Sequence, residues 1–416
     1  MAFRLTRAVG ILIFCSISRI FAGINLPEDR PYEATLFVDR SLNAYVSFSD
    51  HGNLAISKID SKGVLLWTVD LPYGSHNAHW RFDVDRDENL YVTGETTEES
   101  GFHRIVVEKR DSNGSLLWHN VFGSGSGEHS PFALAQVDGS VYVAASTEGD
   151  LIEANSGGTD IVLGRVSRDG EVIWGRQLAT STFGTAVLSL VSDYSGGLYL
   201  VYGYGGMNTL RRYDSAGDLS WSFDFWGGFS TSVENNNSGD LRIVTGTDFV
   251  DAFSMLEAGQ EGWRYRIGPR AIGFFSKASV DSSDNLYAIA TMNEPRLSVL
   301  LTKLNANGEE LWTRRWDRSL TPIDFGVTKS GNAYLFARRS GDAADGEESR
   351  HELLRLNTDG DVEWRITNDD VQELVHITDT AVVGEAILLV TQNTSLLKVR
   401  ASGNIEWHLP VAPTSD

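Results

Sequence analysis

Two stretches, Asn89-Leu-Tyr-Val-Thr-Gly94 and Asp111-Ser-Asn-Gly-Ser-Leu-Leu-Trp118, decide how this chain folds. The first is a β-branched and aromatic run behind a polar residue, which reads as a strand. The second begins as a type I β-turn, with Asp at its first position and Gly at its fourth, and continues into another strand. Glycine there supplies the open backbone that lets the next strand leave the turn.

Both pieces recur. Gly followed four residues later by Trp is found at Gly63 and Trp67, Gly114 and Trp118, Gly170 and Trp174, and Gly217 and Trp221. It continues at Gly259 and Trp263, Gly308 and Trp312, Gly360 and Trp364, and Gly403 and Trp407. Eight of the 11 Trp residues fall on this one register, 42 to 56 residues apart, which marks an internal repeat. Three residues before each Gly stands Asp60, Asp111, Ser167, Asp214, Asn305 or Asn357 in six units, and Leu256 or Arg400 in the other two. The upstream piece recurs as Asn43-Ala-Tyr-Val46, Ser140-Val-Tyr-Val143, Gly197-Leu-Tyr-Leu200, Asn285-Leu-Tyr-Ala288 and Asn332-Ala-Tyr-Leu335. Each unit is then four strands, a to d, with tight a–b and c–d turns. No helical periodicity follows the N-terminal segment.

Four-stranded units repeated around an axis are propeller blades. The expected fold is all-β: a β-propeller of eight four-stranded blades, with seven as the alternative if a divergent unit is broken up to close the ring. Trp on strand d is the natural spacer between blades, with its N–H in reach of a backbone carbonyl. The repeat pattern is compatible with closure with or without a terminal strand sealing the last blade.

The N-terminus reads as a signal peptide over 1–23, leaving 24–416 as one propeller domain. Arg4 and Arg7 precede an apolar run at 8–17, and Ala22 or Gly23 suits cleavage. That run is too short to span a membrane, and no other stretch approaches spanning length. The single Cys, Cys15, lies within it behind Phe14, a poor lipidation context, so the mature chain is expected to lack thiol chemistry. Removing Arg4, Arg7 and Arg19 takes the formal charge from −21 to −24. Such a chain is unsuited to nucleic acid or an anionic membrane. A secreted monomer, extracellular or periplasmic, is expected.

The units resemble a bacterial β-propeller repeat family with blades of the form Asn-x-Tyr-Val-x-Gly, loop, strand, Asp-x-x-Gly-x-x-x-Trp. Residues 80–178 match best, adding Gly157-Gly-Thr-Asp160 and Asp169-Gly-Glu-Val-Ile-Trp174. The register also resembles the Trp-docking motif of eight-bladed quinoprotein-like propellers. The resemblance covers about 34–409, with units five and eight the most divergent. It implies a fold and is nearly silent on activity, because propellers host many functions.

Strand order puts the a–b and c–d turns on one face. The long b–c loops and d–a links lie on the other, at 71–80, 96–103, 122–131, 147–160, 226–232, 267–275, 317–323 and 339–351. Binding residues concentrate on such loops. The candidates there are His76, His79, Trp80, His103 and His129, with Trp226, Arg270 and Arg318 from later links. His supplies proton transfer or metal ligation, but no ligand spacing such as His-Glu-x-x-His supports a metal. Asp83-x-Asp85-x-Asp87-x-Asn89 looks like a calcium loop, yet lacks its Gly and distant Glu and reads more simply as the a–b turn. The Gly-rich 123–127 segment reads as a link and the acidic 342–348 run as a loop tip. No cofactor is expected, with calcium at that turn as the alternative.

The expected function is a secreted, non-catalytic propeller that binds a protein or glycan partner through this face. One alternative is an enzyme at the channel mouth, a polysaccharide lyase or hydrolase before a quinone-dependent dehydrogenase. The other is an envelope assembly scaffold.

Overall fold

The computed structural model describes residues 34–411, less segments at 51–52, 72–79, 98–102, 123–128, 138, 181–183, 194, 229–230, 237–238, 247–248, 269–275, 293–297, 318, 341–348 and 393. The described residues form eight antiparallel sheets of four strands, each in the order a-b-c-d. The blades span 35–71, 81–122, 129–178, 186–226, 231–266, 276–316, 320–367 and 377–410. The divergent units five and eight make complete blades, so the ring has eight and the seven-bladed alternative falls. No described helix is long and apolar enough to cross a membrane.

Strands a of neighbouring blades meet around the centre. Strands b and c are almost wholly buried between blades, while strands d alternate exposed and half-buried residues at the rim. Blade 1 is built wholly from 35–71 and blade 8 wholly from 377–410, so no strand is exchanged to close the ring. Closure is by packing. Ala34, Val46 and Phe48 share one core with Val390, Leu396 and Val411. The Leu36 N–H donates to Asp379 Oδ2 at 2.8 Å, and Thr378 Oγ1 donates to the Ala34 carbonyl at 2.9 Å.

The spacing of Gly and Trp acquires a mechanical reason. The two residues of one motif serve different interfaces. Trp67 donates its indole N–H to the Ser112 carbonyl in the next blade at 2.9 Å, and its ring covers Gly114 there. Trp118, Trp174, Trp221, Trp263, Trp312 and Trp364 repeat the bond to Arg168, Ser215, Glu257, Ala306, Thr358 and Ala401, at 2.7–3.3 Å. Gly308 shows why glycine is needed: its φ is +82°, and a Cβ would lie 2.4 Å from the Trp263 ring. The turn demands the conformation, and the neighbouring indole demands the missing side chain.

Strand b carries the second lock. Tyr91 is buried against Trp118 of its own blade, and its hydroxyl donates to the Gly139 carbonyl in the next blade at 3.0 Å. Tyr287 does the same against Trp312, donating to the Gly331 carbonyl at 2.7 Å. A third recurrent residue escaped the sequence pattern: a base on strand c, two positions before the turn residue. Lys58, Lys109, Arg165, Arg212, Lys303 and Arg355 each lie 4.8–6.0 Å from the centre of the strand-b Tyr ring. A cation over an aromatic face is stabilised by the ring quadrupole. Carboxylates lie beside five of the six, as in Lys58–Glu88 at 2.6 Å, while Arg165 donates to Ser140 Oγ and the Ser215 carbonyl.

Asp83-x-Asp85-x-Asp87-x-Asn89 is the a–b turn of blade 2. Asp85 Oδ1 accepts from the Asp87 and Asn89 N–H groups at 3.0 and 2.8 Å, and Asn89 Nδ2 donates to Oδ2 at 2.8 Å. Asp281 and Asn285 build the same turn in blade 6.

Candidate functional site

His76, His79, Arg270 and Arg318 lie outside the described residues, as do 1–23, 123–127 and 342–348. His103 opens strand c of blade 2, opposite Thr97, and His129 opens strand a of blade 3, opposite Thr147. Both backbone positions are at the loop-face ends of their strands.

Trp80 does not present a surface to that face. It is 2% exposed, in one core with Tyr45, Leu54, Ile56, Leu71, Leu90 and Val92 between blades 1 and 2. Its ring fills the space above Gly94, where a Cβ would lie 2.1 Å from it. That contact explains the Gly of the Asn-x-Tyr-Val-x-Gly pattern in this blade. Position in a linking region made Trp80 a binding candidate; packing makes it core.

Trp226 behaves in the opposite way. It ends strand d of blade 4 on the loop face and is 71% exposed. The register places Met207 directly opposite Trp226, and Tyr204 directly opposite Met207. Residues paired across strands share one side of the sheet. Tyr204, Met207 and Trp226 therefore stand in a row across strands b, c and d, with Tyr204 42% and Met207 40% exposed. The adjacent pair, Asn208 and Phe225, points the other way and is buried.

The sequence supports this locally. Gly205 and Gly206 both have positive φ, so the b–c connection of blade 4 is a two-residue hairpin that holds Tyr204 and Met207 together. The Gly227 N–H then donates to the Gly206 carbonyl at 3.0 Å, pinning the strand that carries Trp226. On blade 5, Phe249 is also exposed at the start of its c strand, with the Arg266 guanidinium 4.3 Å from its ring centre. Asp251 holds that guanidinium at 3.0 Å. Three large side chains are thus exposed side by side at one hairpin end rather than scattered over the surface.

The channel wall holds a second polar constellation that the sequence did not reveal. Lys277, Asp324 and Asp379 occupy strand a of blades 6, 7 and 8. Lys277 Nζ is 2.5 Å from Asp324 Oδ1, and Thr380 Oγ1 donates to Asp324 Oδ2 at 2.6 Å. Burial and the neighbouring Asp324 carboxylate push the Asp379 carboxyl up to about 6. Burial pushes the Glu234 carboxyl, on strand a of blade 5, up to about 7, held back in part by Lys277. With the Asp379 bond to Leu36, these contacts tie blades 6, 7, 8 and 1 around the channel. Among the described residues, no three His, Asp, Glu or Cys side chains are grouped to hold a metal.

No protein-family model matches the chain, and no curated protein matches it. The fold is similar to solved structures at low identity. A eukaryotic initiation factor structure is 9% identical, with a TM-score of 0.51 over 92% of this chain and 89% of that one. The Dos1 propeller is 12% identical, with a TM-score of 0.49 over 73% of this chain and 75% of that one. A protein of unknown function from Bacteroides caccae is 13% identical, with a TM-score of 0.35 over 68% of this chain and 94% of that one. At these identities the likeness is one of fold.

Proposed function

We propose that the protein is a secreted, non-catalytic propeller that binds a protein or glycan partner through its b–c and d–a face. The row of Tyr204, Met207 and Trp226 on blade 4 carries this reading. Trp and Tyr bring large apolar faces with polar tips, and with Met they are enriched where proteins make contacts. The flat faces suit the apolar side of a sugar ring as well as a partner's side chain. On the opposite face the described c–d turns are short and closed by their own backbone hydrogen bonds, as from the Gly114 N–H to the Asp111 carbonyl.

Two arms test the proposal. Neutral and acidic oligosaccharides are titrated against tryptophan fluorescence, with Trp226→Ala as the control. For a protein partner, a photo-crosslinker is placed at position 226 and, on the opposite face, at position 113 in the c–d turn of blade 2. A fluorescence change lost in Trp226→Ala, or a cross-link at 226 and not at 113, is the expected result. Saccharide binding unchanged by Trp226→Ala, or equal cross-linking from both faces, would overturn it.

A further inference from the structure

One residue farther from the c–d turn than the repeat Trp of each strand d lies another cross-strand pair, facing the preceding blade. In blades 1, 2, 4 and 5 it is Ser57 with Thr68, Glu108 with His119, Arg211 with Ser222, and Phe253 with Arg264. In blades 6, 7 and 8 it is Thr302 with Thr313, Leu354 with Arg365, and Leu397 with His408. In blade 3 alone it is glycine opposite glycine, Gly164 with Gly175.

Neither glycine has the positive φ that would require one. Packing does not explain Gly164 either, because a Cβ there would meet nothing closer than the Trp174 carbonyl at 3.5 Å. A Cβ at Gly175 would meet only the flexible end of Ile152, at 2.7 Å. Glycine inside a strand weakens it, and it commonly marks a place where something else approaches the backbone.

The missing side chains open a cleft of about 360 Å³ between blades 2 and 3. Phe122 and Val121 form the blade 2 wall, Val143 and Ala145 the inner wall, and Leu151 and Ile152 the loop-side rim. Small-molecule sites run to roughly 300–1,000 Å³ and are mostly apolar. The rim is held in place. Gln177 Oε1 accepts the Leu151, Ile152 and Glu153 N–H groups at 3.1–3.3 Å, while Gln177 Nε2 donates to the Gly149 carbonyl and to Asp160 Oδ2. Asp160 in turn accepts from Ser156 Oγ at 2.5 Å. The charge nearest the cleft is already engaged: Arg165 donates to Ser140 Oγ at 2.9 Å and to the Ser215 carbonyl at 2.6 Å.

We infer that this cleft binds a neutral, apolar small molecule, one that buries an aliphatic chain or ring over the Gly164–Gly175 pair. A glycine floor admits close approach, a preorganised rim lowers the ordering cost, and the one ionisable group among the described lining residues, Arg165, alternates with Gly164 and lies over the Tyr142 ring on the other side of the strand.

The test is a titration of the purified chain with 1-alkanols of six to twelve carbons, read by thermal melting and by isothermal calorimetry. A ligand selective for the folded state raises the melting temperature. The parent chain is expected to bind one length best and to melt higher with it. Gly164→Val, a β-former filling the cleft from its floor, should weaken that binding at least tenfold while melting no lower than the parent. Gly164→Ala, the smaller filling, should weaken it less and covers the case in which valine disturbs the blade. No saturable binding of any alkanol, or binding unchanged in both variants, would overturn the inference.

Discussion

Seven seams between blades and the eighth, closing seam use the same indole stack but not the same hydrogen bond. At the seven, the Trp N–H donates to a turn carbonyl of the next blade. At the eighth, Trp407 covers Gly63 as its counterparts cover theirs, with a Cβ position 2.8 Å from the ring. Yet its buried Nε1 has no acceptor, and Lys398 Nζ takes the Ser61 carbonyl at 3.0 Å instead. That seam has added hydrogen bonds on the channel side, where Asp379 and Thr378 bind the backbone of Leu36 and Ala34. The stack over glycine is the constant; the indole hydrogen bond is an increment added to it.

The largest effect should come from deleting an indole at an ordinary seam. Trp312→Ala is expected to cost about 3 kcal/mol, the low end for Trp→Ala because the ring is half-buried. Denaturant unfolding measures it, and a cost below about 1 kcal/mol would remove the stack from its central role. Gly308→Ala follows, at about 2 kcal/mol, since it combines a left-handed backbone with a collision against Trp263. Gly157→Ala, with φ of +99° and nothing within 4 Å of the added carbon, should cost about half as much.

The comparison sharpens with phenylalanine, which keeps a ring and removes the N–H. Trp312→Phe should cost about 1 kcal/mol more than Trp407→Phe, because only the first loses a made hydrogen bond. Equal costs from the two unfolding curves would contradict the difference between the seams.

A gentler probe is pH. Glu234 and Asp379 have folded-state carboxyls raised above their unfolded values. The folded chain then holds more protons than the unfolded one between about pH 4 and pH 7, and stability must fall as pH rises through that window. Their contribution is complete below the unfolded value and lost by the folded one. Glu234→Gln should flatten the upper part of the melting-temperature profile and Asp379→Asn the lower part. An unchanged slope in both would show that these carboxyls ionise normally.

The repeat was legible because glycine and tryptophan have few substitutes at a left-handed turn under an indole. The basic residue of the same lock was not, because Lys and Arg share the role and a buried cation looks improbable until its ring and carboxylate are seen. Arg242 shows the limit of pattern reading further: it stands where six other blades have Tyr, 5.5 Å from the Trp263 ring, and its guanidinium reaches the same Ala306 carbonyl. The exposed row on blade 4 was only one-third visible. Trp226 stood out in a link, whereas Val201-Tyr-Gly-Tyr-Gly-Gly-Met207 reads like any buried strand until the register turns Tyr204 and Met207 outward. Trp80 and Trp226 looked alike as linking-region tryptophans, and only Gly94 beneath one of them separates core from surface.

The most direct test of the proposed binding face is Trp226→Ala, assayed side by side for stability and for partner binding. An exposed side chain outside the locks should change stability by no more than about 0.5 kcal/mol, while binding falls at least tenfold. A variant that unfolds early, or one that binds like the parent chain, would contradict the division between a locked face and a binding face.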